Sequence, residues 1–301
     1  MKKLALVLCL VFSNAFAMEA PVVGGTQVPL GKWPDAVLVV APSALCSGTL
    51  IAPTVVLTAG HCIETHPVEV WTGTVDFGAS TGERIPVARA LAYPSWEHSF
   101  DVGVLVLARA ASPPPRAVAS TCTADAALVR GAEVQLVGFG LTTESGTGEN
   151  TALNEAPLAV TDPDCTTAAS CQPAIAPRGE FVAGGDGRDA CFGDSGGPVY
   201  LVTPAGAALL GVVSRGLSDR ADVPCGGGGV FERADKVASW VRRQTGAHLE
   251  RTHCTGKADD EDDAPDDAGG CSSGGASNGA LVVLALGLGL VSVARRRREQ
   301  R

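Results

Sequence analysis

The sequence predicts an all-β fold, a sandwich or barrel of short strands with one helix near residue 240. Three observations carry this expectation. Short apolar runs recur between clusters of Gly, Pro, Ser and Asp, the pattern of strands joined by turns. Aromatic residues make up 5% of the 301 positions whereas Gly alone fills 37, a composition that suits short strands and tight turns. One segment departs from this pattern and repeats its apolar residues at helical spacing.

In chain order the strand candidates are Val37–Val40, Val55–Ala59, Ile85–Leu91, Val102–Leu107, Val134–Val137, Val199–Val202 and Leu209–Val213. Each is strand-length and bounded by turn residues. The helix candidate carries Val237, Trp240 and Val241 at helical spacing. Asp235 lies near its start, Arg242 and Arg243 near its end, and Gly246 just beyond. The charges match the two ends of a helix dipole and the glycine supplies a stop. The net charge of −9 argues against a general nucleic-acid binder, which is usually basic.

The first 17 residues read as a secretory signal peptide: Lys2 and Lys3, the apolar run Leu4–Phe12, then Ala15-Phe16-Ala17. Secretion implies an oxidising compartment, where disulfides persist. Ten cysteines are present. Cys9 falls in the signal peptide and Cys271 near the C-terminus, leaving eight from Cys46 to Cys254, an even number as a disulfide framework prefers. No C-x-x-C pair occurs, which argues against a zinc site; no metal or organic cofactor is expected.

Residues 251–273 are expected to form a disordered acidic linker; "KADDEDDAPDDAGG" holds seven acidic residues and little that could be buried. Residues 274–301 follow as an apolar tail. From Gly274 to Ala294 is 21 residues, enough to cross about 30 Å of hydrocarbon. Arg295–Arg298 would stay cytoplasmic, with everything N-terminal outside. This tail resembles the C-terminal sorting tails of myxobacterial surface proteins, with Cys271 as their cysteine. The resemblance implies a secreted or surface-held protein, in contact with membrane only through its tail.

The chemistry concentrates in "GRDACFGDSGGPVY", Gly187 to Tyr200. Glycines let backbone N–H groups approach a ligand, but Ser195 without a base is a poor nucleophile. Upstream, "VVLTAGHCIE" sets His61 at the end of an apolar run, and "SFDVGVLVL" sets Asp101 before another. A histidine there can take a proton near neutral pH, and a carboxylate can hold its second N–H. With "TAGHC", "DVGVLVL" and "GDSGGP" in this order, residues from Val22 to about Gln244 resemble the chymotrypsin/trypsin family of serine endopeptidases.

The resemblance implies two six-stranded antiparallel β-barrels in a peptidase domain over residues 22–250, with His61 and Asp101 on the first and Ser195 on the second. Ser195 would attack the scissile carbonyl, His61 would take its proton and Asp101 would hold His61. The N–H groups of Gly193 and Ser195 would form the oxyanion hole. "PVVGGT" matches the family's activation sequence. Residues 18–21 would then be a pro-segment, and the α-amino group freed at Val22 would pair with Asp194. Pro21 is unusual before such a cut, so the activating enzyme is not expected to be trypsin-like. Asp189 would floor a pocket for Arg or Lys side chains, kept open by Gly216 and Gly229 with Ser214 alongside. Arg215 stands where the family usually carries Trp, and is expected to bring a cation to the substrate groove. Phe192 at the pocket rim is also unusual. The family pattern further implies bridges Cys46–Cys62 and Cys191–Cys225. The pairing of Cys122, Cys165, Cys171 and Cys254 stays open, with Cys165–Cys171 and Cys122–Cys254 one arrangement.

Two other readings compete. "GDSGG" also satisfies the nucleophile elbow of α/β-hydrolases. That fold needs an acid and then a histidine after the serine; only His248 and His253 follow Ser195, without βα alternation. The second is a catalytically inactive binding protein on the same fold. The expectation is a monomeric secreted peptidase, whose partners are protein or peptide substrates and a protein inhibitor.

Overall fold

The computed structural model describes residues 22–217 and 223–254. The expected signal peptide, pro-segment, apolar tail and the linker from residue 255 lie outside the described residues. Among the described residues no helix is long and apolar enough to cross a membrane.

The described residues form thirteen strands: β1 (Thr26–Gln27), β2 (Ala36–Val40), β3 (Leu45–Ala52), β4 (Val55–Thr58), β5 (Glu69–Thr72), β6 (Glu83–Ala92), β7 (Gly103–Leu107), β8 (Glu133–Gly138), β9 (Asn154–Asp162), β10 (Glu180–Ala183), β11 (Pro198–Thr203), β12 (Gly206–Gly216) and β13 (Gly229–Arg233). The first barrel closes in the order β2-β3-β4-β7-β6-β5. The second runs β9-β10-β13-β12-β11-β8 and closes through the β8–β9 pairing, with β1 added beside β9. Every strand pair is antiparallel. The two six-stranded antiparallel barrels are therefore as expected.

Packing explains why the strand candidates read as continuous apolar runs rather than as alternations. On β2, Val37 and Val39 fill the first barrel, together with Leu50, Val56 and Leu105. Leu38, between them, joins a separate cluster with Val137, Tyr200, Val212 and Trp240. Both faces of the strand are buried, so both must be apolar. A fully buried Leu or Val contributes about 1.5–3 kcal/mol.

Among the described residues three α-helices complete the frame: α1 (Gly60–Glu64), α2 (Thr121–Ala127) and α3 (Ala234–Thr245). α3 matches its sequence signals. It buries Val237, Trp240 and Val241, and ends at Gly246 in the left-handed conformation with φ 68°. The four disulfides are Cys46–Cys62, Cys122–Cys254, Cys165–Cys171 and Cys191–Cys225, which settles the open pairings.

Candidate active site

His61 is the second residue of α1, directly after β4, so it opens a helix rather than ending a strand. Gly60 explains how the helix starts there. A Cβ at this position would lie 2.9 Å from the Trp96 side chain and 3.1 Å from Asp101 Oδ1. Only glycine lets α1 settle against the carboxylate. The Cys46–Cys62 bridge then ties α1 to β3.

Asp101 is buried just ahead of β7 and accepts three hydrogen bonds. The His61 backbone N–H donates to Oδ1 at 2.9 Å, and His61 Nδ1 lies 2.9 Å from Oδ2. The Ser214 hydroxyl donates to Oδ2 at 2.7 Å. Burial alone would raise this acid, but the donors from His61 and Ser214 outweigh it and hold Asp101 below its usual range. The imidazole thus has its Nδ1 side engaged by an ionised carboxylate, which leaves Nε2 free to accept a proton.

Ser195 reaches the same cluster through its backbone. Its carbonyl accepts from the Ser47 N–H at 2.8 Å and lies 3.7 Å from the Cys62 sulfur, one residue beyond His61. The Ser47 hydroxyl donates to the Gly193 carbonyl at 2.8 Å and accepts from the Phe139 N–H. A serine of the first barrel thus staples the loop of the second. Among the described residues no hydrogen bond joins the Ser195 hydroxyl to the imidazole; such contacts often tighten only when substrate binds.

Within this loop the N–H groups of Asp194, Gly196 and Gly197 are spent on the carbonyls of Cys191, Val213 and Asp194. Those of Gly193 and Ser195 have no protein acceptor among the described residues. Gly193 and Gly196 take φ values of 101° and 79°, a region side chains disfavour.

Asp194 is fully buried beside Ser195, with one oxygen on the Gly140 N–H at 2.8 Å and the other on the Cys191 N–H at 2.9 Å. Burial pushes its pKa up to about 7, against the pull of those two donors, and the Asp189 carboxylate adds to the rise. The carboxylate fits because Gly138 and Gly140 carry no side chains; a Cβ on either would run into it. Val22 is fully buried, and Val23 bridges to Asp189, whose N–H donates to the Val23 carbonyl at 3.2 Å.

Asp189 is buried too. It accepts from the N–H groups of Ala190 at 2.7 Å and of Gly226 and Gly228 at 3.0 Å each. Burial still dominates and lifts it to about 6. A Cβ at Gly229 would lie 3.3 Å from its Oδ1, and one at Gly216 would meet only Pro224 O, at 3.9 Å. Gly229 therefore does border this carboxylate. Phe192 is exposed, with its ring over Gly146.

The expectation for Arg215 needs correction. It lines a cavity of about 290 Å³ beside Asp101, but its guanidinium turns into the protein. Glu180 and Glu232, both buried, receive it. Sequence reasoning missed these two acids, as it missed Ser47, Gly138 and Gly140. The available signal was a polar residue inside an apolar strand: Ser47 in "CSGTLIA", Glu180 in "EFVA" and Glu232 in "GVFER".

Two antiparallel barrels carrying a buried Asp hydrogen-bonded to a half-buried His, beside a glycine-framed serine, define a trypsin-type serine protease fold. The trypsin family profile matches residues 22–241, and the chain belongs to the trypsin-like serine protease family. It is 32% identical to human serine protease 56 over 79% of this chain and 41% of that protein. It is 33% identical to mouse transmembrane protease serine 11E, covering 75% of this chain and 55% of the relative. Bovine chymotrypsin-like elastase family member 1 is 29% identical, over 74% of this chain and 89% of its own length. The chain thus spans about half or less of the first two relatives.

Proposed function

We propose that this protein is a secreted endopeptidase that cleaves peptide bonds after Arg or Lys through an acyl-enzyme on Ser195. The observation that carries the proposal is the hydrogen-bonded line Ser214–Asp101–His61 ending beside the Ser195 loop. In this reading His61 Nε2 takes the Ser195 proton as the oxygen attacks the carbonyl. The resulting imidazolium is stabilised by Asp101, and the proton passes to the leaving amine. The unspent N–H groups of Gly193 and Ser195 receive the oxyanion. Hydrolysis of the acyl-enzyme repeats the sequence with water as nucleophile.

Asp189 supports the basic P1 preference, since an ionised carboxylate at a pocket floor pairs with guanidinium or ammonium. Replacing it as Asp189→Asn is expected to lower kcat/KM on an arginine ester substrate by about 10², with less effect on an aromatic ester. Equal losses on both substrates would contradict the assignment. Rapid cleavage of aromatic or aliphatic substrates alone by the unsubstituted protein would contradict the basic preference.

Activation completes the proposal. A cut before Val22 would free an ammonium to pair with Asp194 and shape the oxyanion loop. The Asp194 carboxyl, raised to about 7 in the uncut fold, keeps a proton that the unfolded chain loses near pH 4. The folded state therefore binds more protons in this window. Stability is greatest below it and falls as pH rises towards about 7. Asp189, raised to about 6, acts in the same direction. Urea denaturation of the uncut chain is expected to show this fall between about pH 4.5 and 7.5. The chain cut before Val22 is expected to lose less, because its ammonium stabilises ionised Asp194. Identical pH slopes for the two forms would contradict the pairing.

The signal peptide, pro-segment, linker and tail belong to the same proposal. The domain would be released into, or held at, the cell exterior, with protein or peptide substrates and a protein inhibitor as partners. The four disulfides within the fold support an oxidising location.

A further inference from the structure

Arg215 spends all its donors inside the protein. A guanidinium carries five N–H groups and accepts nothing. Here Nε and Nη2 reach the Ser170 carbonyl at 2.9 and 2.6 Å. Nη2 also reaches Glu180 Oε1 at 2.5 Å, and Nη1 reaches the Ser214 hydroxyl at 2.8 Å and Glu232 Oε1 at 3.5 Å. Those five contacts use the whole fork, so no N–H remains for a substrate in the adjoining cavity.

The contact with Ser214 has a directional consequence. Arg215 can only donate, so Ser214 Oγ must accept. The single Ser214 proton is then left to point elsewhere, and Asp101 Oδ2 lies 2.7 Å away. Without the arginine nothing holds the hydroxyl in this rotamer, and its proton could turn away from Asp101. We propose that Arg215, clamped by Glu180 and Glu232, is a positioning residue that commits the Ser214 proton to Asp101 and so fixes the acceptor that orients His61.

The clamp is built from three strands. Glu180 lies on β10, Arg215 on β12 and Glu232 on β13. Glu180 also accepts the Gln172 N–H through Oε2 at 2.7 Å. Ser170 and Gln172 flank Cys171, whose bridge to Cys165 closes that loop. The same charges therefore hold one wall of the cavity beside Asp101. Burial, with Glu180 beside it, pushes the Glu232 carboxyl well up, against the pull of the Arg215 guanidinium. Besides these acids, the titratable groups facing Arg215 are Asp101, with His61 behind it, and Glu97 across the cavity.

This inference rests on the hydrolytic reading of Ser195, His61 and Asp101. Its test uses the full chain cut before Val22 and a variant carrying Glu180→Met, Arg215→Leu and Glu232→Leu. Apolar replacement of a whole buried ion cluster is commonly neutral or stabilising, so this variant is expected to fold. Its kcat is expected to fall about tenfold, the scale of losing an outer hydrogen-bond partner, with little change in KM. Asp101, less well neutralised, favours the imidazolium more strongly. The acid limb of kcat/KM, and the His61 titration followed by NMR, are expected to move up by roughly half a pH unit or more.

Unchanged kcat, acid limb and His61 titration would overturn the proposal, whatever happens to the melting temperature. So would a downward shift of His61. Should the triple variant fail to fold, Arg215→Met is read by the same two measurements. Fluorophosphonate labelling of the unsubstituted protein runs in parallel. Its absence would sink the hydrolytic reading, while the NMR titration would still report on the relay.

Discussion

Replacing Asp101 with Asn is expected to lower kcat by about 10⁴ with little change in KM. The reason lies in donor and acceptor counting. Asp101 faces three donors, the His61 backbone N–H, His61 Nδ1–H and the Ser214 hydroxyl, and a carboxylate accepts all three. An asparagine must present an NH₂ in place of one oxygen. If its oxygen keeps the backbone N–H, the NH₂ faces Nδ1. The imidazole must then carry its proton on Nε2, the atom that should receive the serine proton. The fold should survive, since the substitution is nearly isosteric. Melting temperature and steady-state rates together check this outcome. A variant within tenfold of the unsubstituted enzyme would contradict the assigned role.

Gly196→Ala is expected to lower kcat by about 10³ through the backbone alone. Gly196 has φ 79°, and an added Cβ would meet the Ser47 carbonyl oxygen at 2.5 Å and the Ala59 nitrogen at 2.6 Å. Both partners are main chain of the first barrel and cannot swing away. The loop must retreat, and the N–H groups of Gly193 and Ser195 would leave their places. One misplaced oxyanion donor typically costs about 10²–10³, and here two are tied to the same segment. Gly206→Ala is the control, because Gly206 has φ 131° but nothing within 4 Å of an added Cβ. It shares the unfavourable backbone angle without the clash. Comparable activity losses in the two variants would contradict the argument.

Among the strands legible in the sequence, Val37–Val40 and Leu209–Val213, which fall within β2 and β12, are apolar on both faces. β3, β10 and β13 escaped notice for one physical reason. Each carries a buried polar or charged group inside its run: Ser47, Glu180, and Glu232 with Arg233. Their partners come from distant parts of the chain. Arg233, for example, pairs with Asp125 of α2 as well as nearby Asp235. Periodicity cannot reveal a charge satisfied from another strand. The same limit governs the site. His61, Asp101 and Ser195 stand in local motifs that can be read directly. Ser47 and the glycines at 138 and 140 matter only because the second barrel brings its loop against them. Arg215 shows the limit most clearly. Its place where the family usually carries Trp suggested a cation for the substrate, whereas two remote glutamates and a backbone carbonyl consume it.

Reaction of the full chain, cut before Val22, with a fluorophosphonate probe tests the central claim most directly. We expect one covalent adduct per molecule, mapped to Ser195, with no adduct on Ser195→Ala and labelling slowed by orders of magnitude on His61→Ala. Failure of the processed, folded protein to react, or an adduct that persists on Ser195→Ala, would contradict it and favour a binding role on the protease fold.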